Sequence, residues 1–149
     1  MKIDIRTEVV VSDLGNQLVI KILCASASVS QWCSGLNKLR NGEISTVVVR
    51  PMSAISKGKL VLKYAGRLSG LASIRREKVD SKIEMTGRQL DYVYSFLRKF
   101  EEQGIGSVDH VDVEAAITGR GKKEAYITFH IPVAATPMTP EEADKWFRV

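Results

Sequence analysis

The stretch KIDIRTEVVVSDLGNQLVIKILC, Lys2 to Cys24, decides the fold. Its first half alternates, with Ile3, Ile5 and Thr7 opposing Asp4, Arg6 and Glu8, and then becomes a β-branched run. Leu14-Gly15-Asn16-Gln17 is a turn signal, and Leu18 to Cys24 is a second apolar run. Alternation and β-branching favour strands, and a Gly-Asn turn between two such runs favours a hairpin. The reading is therefore a hairpin of Lys2–Asp13 with Gln17–Cys24.

Outward from this hairpin the pattern changes period. Ser28-Val29-Ser30-Gln31 has the form of a capping box. Val29, Trp32, Cys33, Leu36 and Leu39 then recur at helical spacing, and Gly42 supplies a stop, which predicts a helix over 29–41. Residues 43–51 and 59–67 read as a second strand pair, with Lys59, Lys63 and Arg67 on one face. Residues 68–80 have no clean period and read as an irregular, mobile basic segment, followed by a short strand at 81–85. Thr86-Gly87-Arg88-Gln89 is another capping box. The stripe Leu90, Val93, Tyr94, Leu97 and Phe100 predicts a helix through about Gln103, closed by Gly104. A third hairpin spans Val108–Pro132, and Thr139-Pro140-Glu141-Glu142 opens a short last helix. Trp146 and Phe147 of that helix are expected to dock on the chain's own body.

The order predicts a single α+β domain over 1–149. Its two layers hold about six mostly antiparallel strands in hairpins, two main helices on one face and a short C-terminal helix, in the order ββα-ββα-ββα.

In the third hairpin, pairing Val111 with Ile131, Val113 with Phe129 and Ala115 with Ile127 puts all six apolar residues on one face. That register sets Asp112 opposite His130 and Glu114 opposite Thr128, with His110 beside Asp112. Imidazoles and carboxylates in this grouping could hold a divalent metal or exchange a proton. A half-buried antiparallel sheet must also show water a polar face. The expectation is that His110, Asp112, Glu114 and His130 form such a solvated face.

The chain has 149 residues, 44% hydrophobic and 26% charged, the balance of a globular domain. No apolar run approaches the ~20 residues that span a bilayer, and the N-terminus shows no secretory pattern. Cys24 and Cys33 fit neither a zinc pair nor a redox pair. Buried, reduced thiols in a cytoplasmic protein are expected. The net charge of +5 is concentrated. Residues 38–82 carry eleven basic and three acidic side chains, a net +8, between a neutral and an acidic part. An anionic partner is one physical use of such asymmetry.

Phosphate-loop, dinucleotide-binding and nucleophile-elbow motifs are absent, and no cofactor is implied. The leading expectation is a non-enzymatic intracellular binding module of inhibitor, immunity or accessory type. It would engage a protein partner with an acidic surface through Lys59, Lys63, Arg67, Arg75, Arg76 and Lys78. Nucleic acid is the alternative partner for the same surface, although only Tyr64 interleaves with the basic residues. A small metal-dependent or acid/base enzyme using the His110, Asp112, Glu114 and His130 face is the third.

Overall fold

The computed structural model describes residues 2–52, 58–103, 109–119 and 124–131. Among these residues the order is β1 (Lys2–Thr7), β2 (Val9–Leu14), β3 (Gln17–Leu23), a 3-10 turn over Ser26–Ser28, and α1 (Val29–Asn41). Then come β4 (Thr46–Pro51), β5 (Leu60–Tyr64), β6 (Ala72–Glu77), β7 (Asp80–Met85), α2 (Gly87–Gln103), β8 (His110–Ile117) and β9 (Glu124–His130). The fold is α+β. Its nine strands form one mixed sheet in the order β1-β4-β5-β7-β6-β8-β9-β3-β2. The expected six antiparallel strands in three ββα units are thus only part of the architecture. The expected short last helix, with Trp146 and Phe147, lies outside the described residues.

The largest departure is in the opening stretch. Its first half does not join the hairpin. β1 pairs in parallel with β4, while β2 alone pairs antiparallel with β3. Only Glu8 separates β1 from β2, yet the two strands are the opposite edges of the sheet. Nine strands at about 4.8 Å spacing would set the edges of a flat sheet about 38 Å apart. One residue spans at most about 3.6 Å. The sheet therefore curls until its edges meet at Thr7–Val9, and one strand switches from one edge to the other there. Hydrogen bonds stitch this seam. The amide of Met52 donates to the Thr7 carbonyl, the Thr7 hydroxyl to the Leu23 carbonyl, and the Leu23 amide to the Glu8 carbonyl.

Between its four hairpins (β2–β3, β4–β5, β6–β7 and β8–β9) the sheet is joined by parallel ladders, β5 with β7, β6 with β8, and β3 with β9. Residues 72–77, expected to be irregular, are strand β6, hairpinned to β7 through Lys78 and Val79. Two of its alternating residues, Ala72 and Ile74, are buried opposite Ile83 and Met85 of the core, and this apolar face orders the segment.

Both main helices form where the periodicity places them, with different starts. Thr86 and Gln89 make a reciprocal capping box. The Gln89 amide donates to the Thr86 hydroxyl at 3.3 Å, and the Thr86 amide to Gln89 Oε1 at 3.0 Å. Ser28 makes no such bond; its hydroxyl donates to the Ala25 carbonyl, because a 3-10 turn precedes α1. Gln31 instead reaches the Asp4 carbonyl on edge strand β1. Gly42, at φ +79°, ends α1 in the left-handed conformation.

One core lies between the helices and one face of the sheet. α1 buries Val29, Trp32, Cys33, Leu36 and Leu39, and α2 buries Leu90, Val93, Phe96 and Leu97. Tyr94 and Phe100 are only partly buried, so the inward stripe of α2 is turned toward Phe96. Trp32 meets Phe129 of β9 edge-on, with ring centroids 5.9 Å apart. Cys24 and Cys33 are both buried and unbridged. No helix among the described residues is long and apolar enough to cross a membrane.

Candidate functional site: the open face of the sheet

Strand alternation sorts the charged residues between the two faces. Leu60, Leu62 and Tyr64 of β5, Ile74 of β6 and Ile83 of β7 face the helices. Val61 and Lys63, Ser73 and Arg75, and Lys82 and Glu84 face away from them. The register then fixes neighbours across strands. Lys63 stands opposite Glu84, and Arg75 stands opposite Lys82.

This arrangement disperses part of the expected basic set. Lys59, Lys63, Arg75 and Lys82 are exposed on or beside the open face. Arg67 lies past the end of β5, not on its face with Lys59 and Lys63. Its guanidinium donates to the Leu71 carbonyl, and its own carbonyl accepts the Gly87 amide at the start of α2. Arg76 points to the helix side and donates to the Ser81 hydroxyl at 3.0 Å. Lys78 is the turn residue of the β6–β7 hairpin, at φ +56°. Lys57, another of the eleven basic residues between 38 and 82, lies outside the described residues.

The cations that remain are interleaved with carboxylates. Lys82 Nζ is 3.6 Å from Glu77 Oε1, and Arg50 Nε is 3.5 Å from Asp4 Oδ1. The Lys59 amide donates to Asp80 Oδ1 at 3.0 Å. Among the described residues no ion pair reaches Arg75. A cleft of about 280 Å³ opens here, lined by Ser73, Arg75, Lys82, Glu84 and Thr118. Thr118 sits there because its amide donates to the Ile74 carbonyl, one step beyond the β6–β8 ladder. Of these five, Arg75 and Lys82 belong to the basic set read from the sequence. Ser73, Glu84 and Thr118 become visible once 72–77 is read as a strand.

Further along the same face, β8 presents exposed His110, Asp112 and Glu114. The β8–β9 register is shifted by two residues from the expected one. His110 pairs with His130, Asp112 with Thr128 and Glu114 with Tyr126. An even shift keeps every side chain on its face, so hydrophobic alternation could not distinguish the two registers. The Thr128 hydroxyl donates to Asp112 Oδ1 at 2.7 Å, where His130 was expected to stand.

The expected solvated face is found on β8 but not on β9. His130 and Thr128 are buried, with relative exposures of 4% and 7%. β9 is an interior strand, with β8 on one side and β3 on the other, and Lys21 and Leu23 of β3 stand beside Thr128 and His130. Burial pulls the His130 pKa below its ordinary 6.5, opposed by the nearby Asp109 carboxylate. His110 Nδ1 is 2.7 Å from Asp109 Oδ1, and this hydrogen bond holds the Asp109 pKa below the usual carboxylate value. His110 Nε2 lies 4.0 Å from Asp112 Oδ2. Glu114 does not join these groups; it faces Tyr126. Among the described residues, no three His, Cys, Asp or Glu side chains converge on a point where a metal ion could sit.

A smaller depression of about 210 Å³ lies between α1 and α2 beside Cys33, Tyr94, Arg98 and Glu101. Burial, with the nearby Glu101 adding to it, pushes the Cys33 thiol up to about 11. It is therefore protonated at neutral pH and a poor nucleophile. Arg98 there is held by Glu102 at 2.7 Å and by the Tyr94 hydroxyl at 3.0 Å.

Comparison of the sequence with known protein families and with curated proteins gives no match to either.

Proposed function

We propose that this protein is a non-enzymatic binding module that engages a protein partner through the open face of its sheet. The observation that carries this reading is the mixed sign of that face. Lys63, Arg75 and Lys82 stand among Glu77 and Glu84, and the β8 carboxylates Asp112 and Glu114 follow on the same side. A nucleic acid presents a uniform line of phosphates and favours a uniformly cationic track. Carboxylates interspersed among the cations would repel it. A protein surface can meet both signs, acid against Arg75 and Lys82 and base against Glu114 and Asp112, which gives register and specificity. Among the described residues, no aromatic side chain stands beside these cations on the open face of β5, β6 or β7. Tyr64 faces the helices, where its ring lies under the Arg40 guanidinium at 5.2 Å.

The test is a direct titration with single- and double-stranded DNA and RNA probes at about 50 mM salt, repeated at about 200 mM. The expected result is no saturable binding that depends on Lys59, Lys63 and Lys82. Tight binding that collapses with salt, and is abolished by Lys59→Glu, Lys63→Glu and Lys82→Glu together, would replace the protein partner by nucleic acid.

A further inference from the structure

We infer that the cleft at Arg75 is the anchor of this surface and seats a carboxylate side chain of the partner, an aspartate or glutamate. The inference rests on the protein-binding reading above. Glu84 lines the cleft but stands opposite Lys63. Lys82 lines it but lies within 3.6 Å of Glu77. Lys82 thus has a carboxylate partner, whereas among the described residues no ion pair reaches Arg75.

Its placement is not explained by the sheet. Arg75 and Lys82 are direct cross-strand partners on one face, and like charges placed so destabilise a hairpin. Among the described residues the fold gains no ion pair from Arg75, and its exposed guanidinium is open to a group from outside. The neighbouring groups fit an anion. The Ser73 and Thr118 side chains border the same cleft, and hydroxyls are donors that turn to suit a ligand. A guanidinium offers the two parallel N–H groups that match a carboxylate. At about 280 Å³ the cleft stands at the small end of ligand-sized sites, which run to about 1,000 Å³. It has room for the end of one side chain. Arginines seated in this way are frequent centres of protein interfaces.

The experiment is an NMR titration of the whole chain with acetyl-tetraglutamate amide, following backbone amides and the Arg75 Nε–H. Parallel arms use inorganic phosphate, and the variants Arg75→Gln, Arg75→Lys and Lys59→Gln. Saturable shifts at Ser73, Arg75, Lys82 and Thr118 are expected. Affinity should fall about tenfold or more in Arg75→Gln, fall less in Arg75→Lys, which keeps the charge but not the fork, and stay within about twofold in Lys59→Gln, which lies outside the cleft. Equal losses in Arg75→Gln and Lys59→Gln would mean diffuse charge holds the peptide. The anchor would then be wrong while the protein-binding face stood. Phosphate moving the same resonances at lower concentration would overturn the carboxylate assignment. No saturable shift with the peptide would overturn the anchor outright.

Discussion

Replacing Arg75 by glutamine should leave the protein more stable, not less. In most surface strands the loss of a charged residue costs a little, because the charge is paired. Here the direct cross-strand partner of Arg75 is Lys82, and among the described residues no carboxylate lies within ion-pair distance. Two unit charges about 6 Å apart in a medium of water's dielectric repel by about 0.7 kcal/mol. Cross-strand like-charge pairs fall in the same range, about 0.2–1 kcal/mol. Glutamine keeps most of the aliphatic stem, so packing is nearly unchanged. The expected gain is thus about 0.2–1 kcal/mol, or an upward shift of about 0.4–4 °C in Tm for a chain of this size. Lys63→Gln supplies the opposite sign. Lys63 faces Glu84, and removing an attractive pair should cost about 0.2–1 kcal/mol. Urea unfolding of the three proteins, followed by tryptophan fluorescence from buried Trp32, measures both. The difference between the two variants is the quantity to read, since it doubles the signal. If Arg75→Gln loses stability as Lys63→Gln does, the carboxylates of its own sheet hold Arg75, and it is not offered to a partner.

Leu97 is fully buried on α2, and Leu97→Ala should cost about 2–5 kcal/mol in denaturant unfolding; a loss under about 0.5 kcal/mol, the level of surface changes, would show that the helix face is misassigned. Thr86→Ala removes the hydroxyl that accepts the Gln89 amide and should cost about 0.5–2 kcal/mol, whereas an unchanged midpoint would mean that the capping box contributes nothing. The lowered pKa of buried His130 has a defined sign. Below its ordinary value of 6.5 the unfolded chain binds a proton that the folded chain resists, so stability should fall as pH drops from about 7 to 5. His130→Gln should flatten this window; a slope that survives the substitution assigns it to another group. Asp109 acts separately, since its depressed pKa gives a contribution that is lost only near and below its ordinary 3.8.

The helices were legible because three local signals coincide in each. Apolar period, start and stop signals agree at 29–41 and at 87–103, and the structure corrects the cap at Ser28 and turns the buried stripe of α2 toward Phe96. The strands were legible one at a time, while their partners were not. Alternation in Lys2–Glu8 says which side chains go inward, but not which strand lies alongside. Each β1 residue pairs with a β4 residue 44 positions further along the chain, in a parallel ladder with no turn to announce it. Residues 72–77 were missed because their open-face and helix-side positions both carry arginine, Arg75 and Arg76, so polarity does not alternate. The two-residue slip at β8–β9 escaped for the converse reason: alternation there is so regular that every even register satisfies it. The candidate site inherits these limits. Arg75 was visible as one of many cations, but its opposition to Lys82 depends on a hairpin that composition does not show.

The most direct test of the account is capture from a nuclease-treated extract of the native source. Wild type is compared with a variant carrying Lys63→Glu, Arg75→Glu and Lys82→Glu, after both are shown to be folded. A protein that binds the purified wild-type chain in a stoichiometric complex, with affinity falling as salt rises and lost in the variant, is the predicted result. A partner retained equally by both proteins, or one that disappears when nucleic acid is removed, would contradict it.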